Sequence, residues 1–300
     1  MITFEGFDDR TFYLTFQTEE DCLQYLSSMK WAENYKCRKC GHGKFMKGKK
    51  SHSRRCQKCK YDESATAHTL FHQLKFSLMI AFEMVFRLSC DKKGISTLGL
   101  SEKLSLSYQS CLNFRRKVQY AMRSSQRYPL KNYLEVDEFA VGGYDSESQG
   151  RAKGDKKLVN VALEITPDGG FGRAYAVKIE DYSSTELEKI FKQHIDPENT
   201  QIRTDKWTGY IPLTKKYNIE QEYSENGQNF RQLHLHIMNI KNWIRGTHHH
   251  VSKEYIERYL DEFHFRFNRR TYRKSIFKKI IERLVFSTKV TQSQLRVWAT

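Results

Sequence analysis

The chain has 300 residues, of which 51 are Lys or Arg and 35 are Asp or Glu, so its formal net charge at pH 7 is +16. This length predicts about two domains, and the 39% of hydrophobic residues supply their cores, which excludes a short peptide or a disordered chain. The positive charge predicts a polyanionic partner, most commonly nucleic acid.

The first thirty residues predict a short strand or turn followed by a helix. They lack the basic start and the apolar stretch of a secretory signal, so we expect the seven cysteines to lie in a reducing compartment. The longest apolar run, residues 71–88, is interrupted by charged side chains, whereas a membrane-spanning helix needs about 20 nearly unbroken apolar residues. We therefore expect no membrane span.

Two Cys-x-x-Cys pairs, separated by fifteen residues, predict a zinc ribbon in which four thiolates hold one tetrahedral ion. The expected zinc ligands are Cys37, Cys40, Cys56 and Cys59. Because four protein ligands leave no open position on the metal, this zinc is expected to be structural. Chance pairs of free or redox-active thiols are the alternative. The isolated Cys22, Cys90 and Cys111 are expected to be buried core residues.

The segment around these cysteines is strongly basic. Residues 30–60 contain twelve Lys or Arg and a single acid, Glu33. So many like charges repel one another unless an anion compensates them, which favours DNA contact over a merely solvated face.

Helices are predicted next along the chain. Apolar residues at helical spacing indicate a long helix over residues 66–88. A short helix over 97–104, a polar turn and a longer helix over 108–122 then suggest a helix-turn-helix unit. The second helix of that unit carries cations that we expect to contact DNA, namely Arg115, Arg116 and Lys117.

Beyond residue 125 the periodicity changes to that of strands. Strands are predicted over 133–137, 158–165 and 173–179, followed by a helix over 184–195 that Ser183 caps and a strand over 201–205. A weaker strand over 219–223 and helices over 227–243 and 252–268 complete the pattern. The β-β-β-α-β order predicts an α/β fold with an RNase H-like core.

Asp137 and Asp205 each stand at the end of a predicted strand. In an RNase H-like core such acids meet at one end of the sheet, where two divalent ions could clamp the attacking and leaving oxygens of a phosphodiester. Carboxylates suit Mg²⁺ (or Mn²⁺), so we expect these residues to be catalytic metal ligands. A helix cap or a turn is the alternative role for either aspartate.

A third ligand is expected from the last predicted helix, where Glu262 lies on an aromatic stripe with Tyr255 and Tyr259. Asn268 is a rival ligand, and Glu262 paired with a neighbouring arginine is the non-catalytic alternative. The neighbouring acids Glu138 and Asp261 compete for the predicted roles. The same stripe continues into cations that we expect to hold DNA, Arg266 and Arg269, and two histidines are candidate neighbours of the site, His236 and His248.

Three segments carry a family resemblance: LEVDEFAVGG around Asp137, IRTDKWTGY around Asp205, and WIRGTHHHVS continuing into YLDEFHFRFNRR through Glu262. They resemble the zinc-ribbon DDE transposases of bacterial insertion sequences, the IS1595 family. The resemblance implies an enzyme that cleaves and joins double-stranded DNA at transposon ends with Mg²⁺, using the two aspartates and an acidic or amide third residue. It also implies a homo-oligomer on DNA in the bacterial cytoplasm, associated with the nucleoid.

We expect three domains: residues 1–65 with the zinc ribbon, 66–128 with the helix-turn-helix, and 129–300 as the catalytic domain. Two other functions stay open on the sequence alone. One is a non-enzymatic DNA-binding regulator with an inactive RNase H-like core. The other is a nuclease or resolvase that cuts DNA without joining it.

Overall fold

The computed structural model describes the chain except for residues 1, 7, 33, 143–155, 250, 288–289, 291–293 and 296–300 and the side chain of Asn226. The chain divides into two compact units. We call residues 1–122 with 271–298 the terminal unit, and residues 123–270 the sheet unit. Within the described residues no helix is long and apolar enough to cross a bilayer.

The terminal unit is mainly helical. Its helices are α1 (Asp9–Thr15), α2 (Glu19–Lys30), α3 (Leu78–Cys90), α4 (Thr97–Leu104), α5 (Tyr108–Met122) and, near the end of the chain, α9 (Ile276–Phe286). The bounds of α4 and α5 are those predicted. The expected strand or turn before α2 is instead the helix α1, which begins where the Asp8 side chain accepts a hydrogen bond from the Thr11 amide at 2.9 Å.

The helix predicted over residues 66–88 is shorter at its start. Ser77 caps α3 by accepting a hydrogen bond from the Ile80 amide at 3.3 Å, and residues 66–77 form turns and bends instead. The helix begins only after its Ser77 cap, so the apolar periodicity alone predicted a helix that was too long at its start.

An aromatic core explains why the end of the chain belongs to the terminal unit. Phe277 of α9 is 1% exposed and packs edge-on against Phe4, with ring centroids 4.9 Å apart. It also contacts Phe12, Phe16 and Phe82. Such contacts between distant segments cannot be read from local periodicity, so the division at residue 271 differs from the domain expected over 129–300.

A small antiparallel sheet in the terminal unit carries the predicted ribbon. Its strands are β1 (Phe45–Lys47), β2 (Arg54–Cys56) and β3 (Asp62–Glu63), with β2 in the middle. The two Cys-x-x-Cys turns stand before β1 and at the end of β2, so the hairpin brings them together.

The sheet unit contains β4 (Leu130–Val141), β5 (Lys157–Ile165), β6 (Phe171–Ile179), β7 (Ile195–Asp205) and β8 (Ile219–Glu222). Their order across the sheet is β6-β5-β4-β7-β8. The first three pair antiparallel, whereas β7 and β8 run parallel to β4. The predicted α/β class and the strand succession in the described residues are thus confirmed.

Helices cover both faces of this sheet. One face packs on α6 (Ser184–His194), which Ser183 caps as predicted. The other face packs on α7 (Arg231–Trp243) and α8 (Ile256–Phe267), where α7 covers β4 and β5 and α8 covers β6. Because side chains alternate along a strand, Val136 faces the α6 layer and Phe139 faces the α7 layer.

Candidate functional site

Asp137 and Asp205 lie side by side in the sheet unit. Strands β4 and β7 pair in parallel up to Val136 opposite Thr204, and the two aspartates occupy the next position of each strand. Neighbouring strands are about 5 Å apart, so the two main chains are close enough for the carboxylates to share a ligand. The two aspartates therefore lie at adjacent register positions of the sheet, although β4 continues to Val141 beyond Asp137.

Both aspartates face the α7 layer. Asp137 alternates with Val136 of the opposite layer, and Asp205 has the same parity as Arg203. The Arg203 guanidinium pairs with Glu135 at 2.8 Å and lies 4.7 Å from the ring of Phe230, which belongs to the α7 layer. Asp137 and Asp205 therefore share one face of the sheet, and we call the pair the aspartate corner.

The buried phenol of Tyr210 is affected by the same carboxylates from the other face of the sheet, the α6 layer. Tyr210 is fully buried, and its pKa is raised well above the usual value by burial first, then by Glu138, and further by Asp137 and Asp205. Glu138 belongs to the α6 layer together with Tyr210, because it alternates with Asp137 along β4. This settles which of the two neighbouring acids faces α7.

Hydrogen bonds fix the main chain at Asp205. Its Oδ1 accepts from the amide of Trp207 at 3.1 Å. The side chain of Gln221 donates to the carbonyl oxygens of Asp205 and Trp207, at 3.1 and 3.0 Å. These hydrogen bonds hold the end of β7 in place.

His234 joins the corner, and the sequence did not single it out as a site residue. It lies near the start of α7, and its Nε2 is 3.2 Å from Oδ2 of Asp137. The hydrogen bond to Asp137 is the main cause that raises the pKa of His234, and partial burial opposes it. His234 and His236 have the spacing of two residues on one face of a strand, but they lie on a helix, where side chains two residues apart point in different directions. The helix predicted for this segment was the signal that could have separated the two histidines.

An open groove of about 760 Å³ runs between β4, the start of β5 and α7. Asp137 and His234 line it together with several basic side chains. These are Lys157, Lys241, Arg245 and His249. Burial lowers the pKa of Lys241, and the nearby Asp137 carboxylate opposes that shift. A groove with a carboxylate corner and basic walls has the charges needed to hold a phosphodiester beside a divalent cation.

Glu262, the expected third ligand, lies on α8 in the sheet unit and is 1% exposed. Helix α8 makes its main contacts with the edge strand β6, which is two strands from β4 and three from β7, or roughly 10 and 14 Å across the sheet. The same helix also packs in the core cluster that contains Phe139 of β4. The role of Glu262 as a metal ligand stays a prediction.

Asn268 is bound at the same edge strand. Its side-chain nitrogen donates to the Ala174 carbonyl and its side-chain oxygen accepts from the Ala174 amide, both at 2.9 Å. The amide therefore satisfies the free edge of β6. This occupation of both polar atoms argues against the rival ligand role for Asn268.

The predicted stripe of cations ends with α8. Arg269 donates to the Phe265 carbonyl at 3.0 Å and its guanidinium lies 3.8 Å from the Phe265 ring, while Arg266 is half-buried. Arg266 lies within α8, one turn after Glu262, whereas Arg269 follows the end of the helix at Phe267, so the predicted helical spacing does not extend to Arg269.

Each of the two candidate histidines packs against other aromatic or histidine rings of the sheet unit. His236 is buried, with its Nε2 3.1 Å from Nε2 of His264. The ring of His248 packs against Trp243 and Tyr259, with centroids 4.6 and 4.5 Å away. The third histidine of the cluster, His250, lies outside the described residues.

In the terminal unit, Arg115 is not available to DNA. It is fully buried, and its Nη1 donates to the Ile95 carbonyl at 2.7 Å. The expected DNA contact is wrong for this residue, because it lies on the face of α5 that packs inward. Lys117 is half-buried and donates to the Leu70 carbonyl at 3.3 Å, and Arg116 is half-buried on the same helix.

The four predicted zinc ligands come together in the terminal unit. Their sulfur atoms all lie within 4.8 Å of one another, with Cys37 3.5 Å from Cys59 and Cys40 3.6 Å from Cys56. Zinc–sulfur bonds of about 2.3 Å in a tetrahedron require sulfur–sulfur distances of about 3.8 Å, so the cluster fits a zinc ion. The fit supports the expected structural zinc.

Some of the basic residues around the ribbon stabilise it internally. Lys30 is buried and pairs with the buried Glu63 at 2.7 Å. The Arg54 guanidinium lies 3.9 Å from the Phe45 ring and 4.7 Å from the Trp31 ring. These two cations are held by the fold, so the surface available to DNA consists of the other basic residues of the segment.

Two family models match the chain. One is described as the ISXO2-like transposase domain and matches residues 129–268, which is nearly the whole sheet unit. The other is described as the transposase zinc-ribbon domain and matches residues 17–62, which include all four clustered cysteines. Both belong to the IS1595 family. No curated protein matches the chain.

Proposed function

Because the chain carries both the zinc-ribbon and the transposase domain of the IS1595 family, we propose that it cleaves and joins double-stranded DNA at the ends of an insertion sequence. The reaction would free a 3′-hydroxyl at the element end, and that hydroxyl would attack target DNA. Both steps act on a phosphodiester, so one site with one set of ligands suffices. Joining two ends to one target further favours a homo-oligomer assembled on DNA.

The topology of the sheet unit supports an RNase H-like core. Three antiparallel strands are followed by a crossover helix and two strands parallel to the first, and helices cover both faces. In an open sheet of this kind the ends of neighbouring parallel strands are a common position for a site. Asp205 occupies that position at the end of β7, and Asp137 lies beside it within β4.

A helix-turn-helix role for α4 and α5 has its own support. Ser105, between the two helices, has φ of 50°, which allows the sharp reversal, and the Ser107 side chain accepts a hydrogen bond from the Ser110 amide at 3.2 Å to start α5. We propose that the exposed face of α5, with Arg116, contacts DNA, together with the basic surface of the zinc ribbon.

Asp137 and Asp205 would hold Mg²⁺ or Mn²⁺. Their carboxylates are hard oxygen ligands at adjacent register positions, they share one face, and Asp137 lines an open groove, so the residues fit a divalent cation. When bound, the metal supplies Lewis-acid stabilisation of charge on the phosphodiester oxygens. We assign His234 the role of orienting Asp137 through their hydrogen bond.

The basic residues of the groove would position the DNA. Lys241 and Arg245 follow His234 along α7 and line the same groove. Cations on this wall can hold phosphate groups that flank the reacting one, which keeps the scissile bond at the aspartates.

The observation that carries the proposal is the adjacent register of Asp137 and Asp205 on the face that borders the basic groove. The test incubates the protein with labelled element ends, Mg²⁺ and a target plasmid, and compares the wild type with Asp137→Asn and Asp205→Asn. Metal ligation is worth several kcal/mol in the transition state, so each variant should lose cleavage by about a thousandfold while it still binds DNA.

The matched control is Asp168→Asn, which neutralises an exposed acid in the turn between β5 and β6, outside the groove. It should keep most of the cleavage activity. Identical gels for the wild type and both Asn variants would refute the enzymatic proposal, and cleaved ends without joined product would indicate a nuclease.

A further inference from the structure

An exposed aromatic ring stands beside the aspartate corner. Tyr223 directly follows β8, whose last residue, Glu222, pairs with Asp205. Lys206 directly follows Asp205, and its ammonium group lies 3.8 Å from the centre of the Tyr223 ring. The ring is nevertheless 68% exposed, so the cation covers only part of it.

The position of this tyrosine is fixed by its main chain. The Asn229 side chain donates to the Tyr223 carbonyl at 2.8 Å. Two residues earlier, Gln221 donates to the Asp205 carbonyl at 3.1 Å, which ties β8 to the end of β7. The main chain at Tyr223 is thus tied to the end of β7, while most of the ring stays exposed.

A flat ring with an adjacent cation has the chemistry that recognises a nucleotide. A nucleobase stacks on an aromatic face, and an ammonium group neutralises a phosphate. A base inside a duplex is already stacked on both sides, so only an unpaired nucleotide can offer a face to the ring.

We propose that Tyr223 and Lys206 form a stacking platform that holds one unpaired nucleotide of the element end next to the phosphodiester at Asp137 and Asp205. The platform rests on the proposed function, because it assumes that DNA is held at Asp137 and Asp205. It gives the site a preference for locally opened DNA at the position of cleavage, which direct contacts with phosphates cannot supply.

A second tyrosine of the sheet unit provides a matched control. Tyr128 is 56% exposed and has the Arg173 guanidinium 5.0 Å from its ring centre, so it has the same chemistry. Arg173 lies on β6, at the edge of the sheet farthest from β8. A general effect of exposed aromatic rings on DNA binding would therefore act equally at both tyrosines.

The experiment measures dissociation constants of the full-length protein by fluorescence anisotropy without Mg²⁺, so that no cleavage occurs. The probes are an element end that is fully paired, the same end with one unpaired nucleotide at the mapped cleavage position, and that end with an abasic sugar in place of the unpaired base. The wild type should bind the unpaired end about tenfold more tightly than the other two.

Tyr223→Ala should lose this preference, Tyr223→Phe should keep it, and Lys206→Ala should weaken binding to all three probes. Tyr128→Ala should behave as the wild type. Equal affinity of the wild type for all three probes, or an equal loss in Tyr128→Ala and Tyr223→Ala, would overturn the platform. Since binding is read without cleavage, a protein that shows the preference but never cuts DNA would refute the proposed function and leave the platform standing.

Discussion

The imidazole of His234 lies 3.2 Å from the carboxylate of Asp137, although 97 residues separate them along the chain. Asp137 belongs to the first strand of the sheet unit and His234 to the helix that covers it. The hydrogen bond sets the direction of the carboxylate before any metal binds. A ligand oriented in this way loses less freedom when the metal arrives, which is the usual contribution of such a partner.

Replacing His234 by Ala is expected to raise the Mg²⁺ concentration needed for half-maximal cleavage by about 10- to 100-fold, because Asp137 loses its orienting partner. Titrating cleavage of labelled element ends with Mg²⁺ measures the effect. A merely structural role would lower cleavage at saturating metal without moving the midpoint.

Glu262→Gln is the companion variant, since it removes the charge of the acid expected from sequence. If Glu262 is the third metal ligand, the midpoint in Mg²⁺ should rise in this variant too. An unchanged midpoint in Glu262→Gln would contradict the predicted ligand role.

Arg115 and Arg116 are neighbours in sequence with opposite expected effects. Arg115→Met removes a buried hydrogen bond to the Ile95 carbonyl and leaves that oxygen unpaired, so we expect a loss of about 2 to 3 kcal/mol in the free energy of unfolding. Arg116→Ala should cost little stability but reduce the slope of DNA affinity against salt by about one. Urea unfolding and anisotropy titrations at several salt concentrations separate the two.

The sequence located the ribbon and the two aspartates because each depends on local information. The cysteine spacing identifies the zinc ligands. Asp137 and Asp205 each stand at the end of a predicted strand, and the parallel pairing of β4 with β7 brings these two positions together. The third ligand, Glu262, stays a prediction, because which helix covers β4 depends on packing between distant segments that local patterns do not specify. The helical pattern also could not reveal that the cation at position 115 faces inward.

Loss of zinc should unfold the ribbon and leave the sheet unit folded. The wild type should contain one zinc ion per chain, and Cys59→Ser should contain little, since three thiolates hold the ion less well. The metal content is measured by releasing zinc into a chromogenic chelator. Cys111→Ser, at a buried cysteine outside the cluster, is the control and should retain zinc. Equal zinc content in both variants would contradict the four-cysteine site.

The buried pair His236 and His264 should make the sheet unit sensitive to acid. The Nδ1 of His264 lies 2.7 Å from the Leu260 carbonyl, so in the neutral pair His264 donates there and accepts at Nε2 from His236. Burial lowers the pKa of His264 to about 4, and burial with the nearby His264 and Arg270 lowers that of His236 well below 6.5. As the pH falls, the unfolded chain therefore takes up protons at these two histidines at a higher pH than the folded protein does.

The contribution of the two histidines to the free energy of unfolding is therefore fully present above about pH 6.5 and decreases as the pH falls from there toward 4. At pH 5 the contribution of His264 alone should be a loss of roughly 2 kcal/mol relative to pH 7.5. Urea unfolding at both pH values should show this loss in the wild type and a smaller one in His264→Gln. His249→Gln, at an exposed position, should keep the full loss, and equal losses in the two variants would show that the buried pair is not the cause.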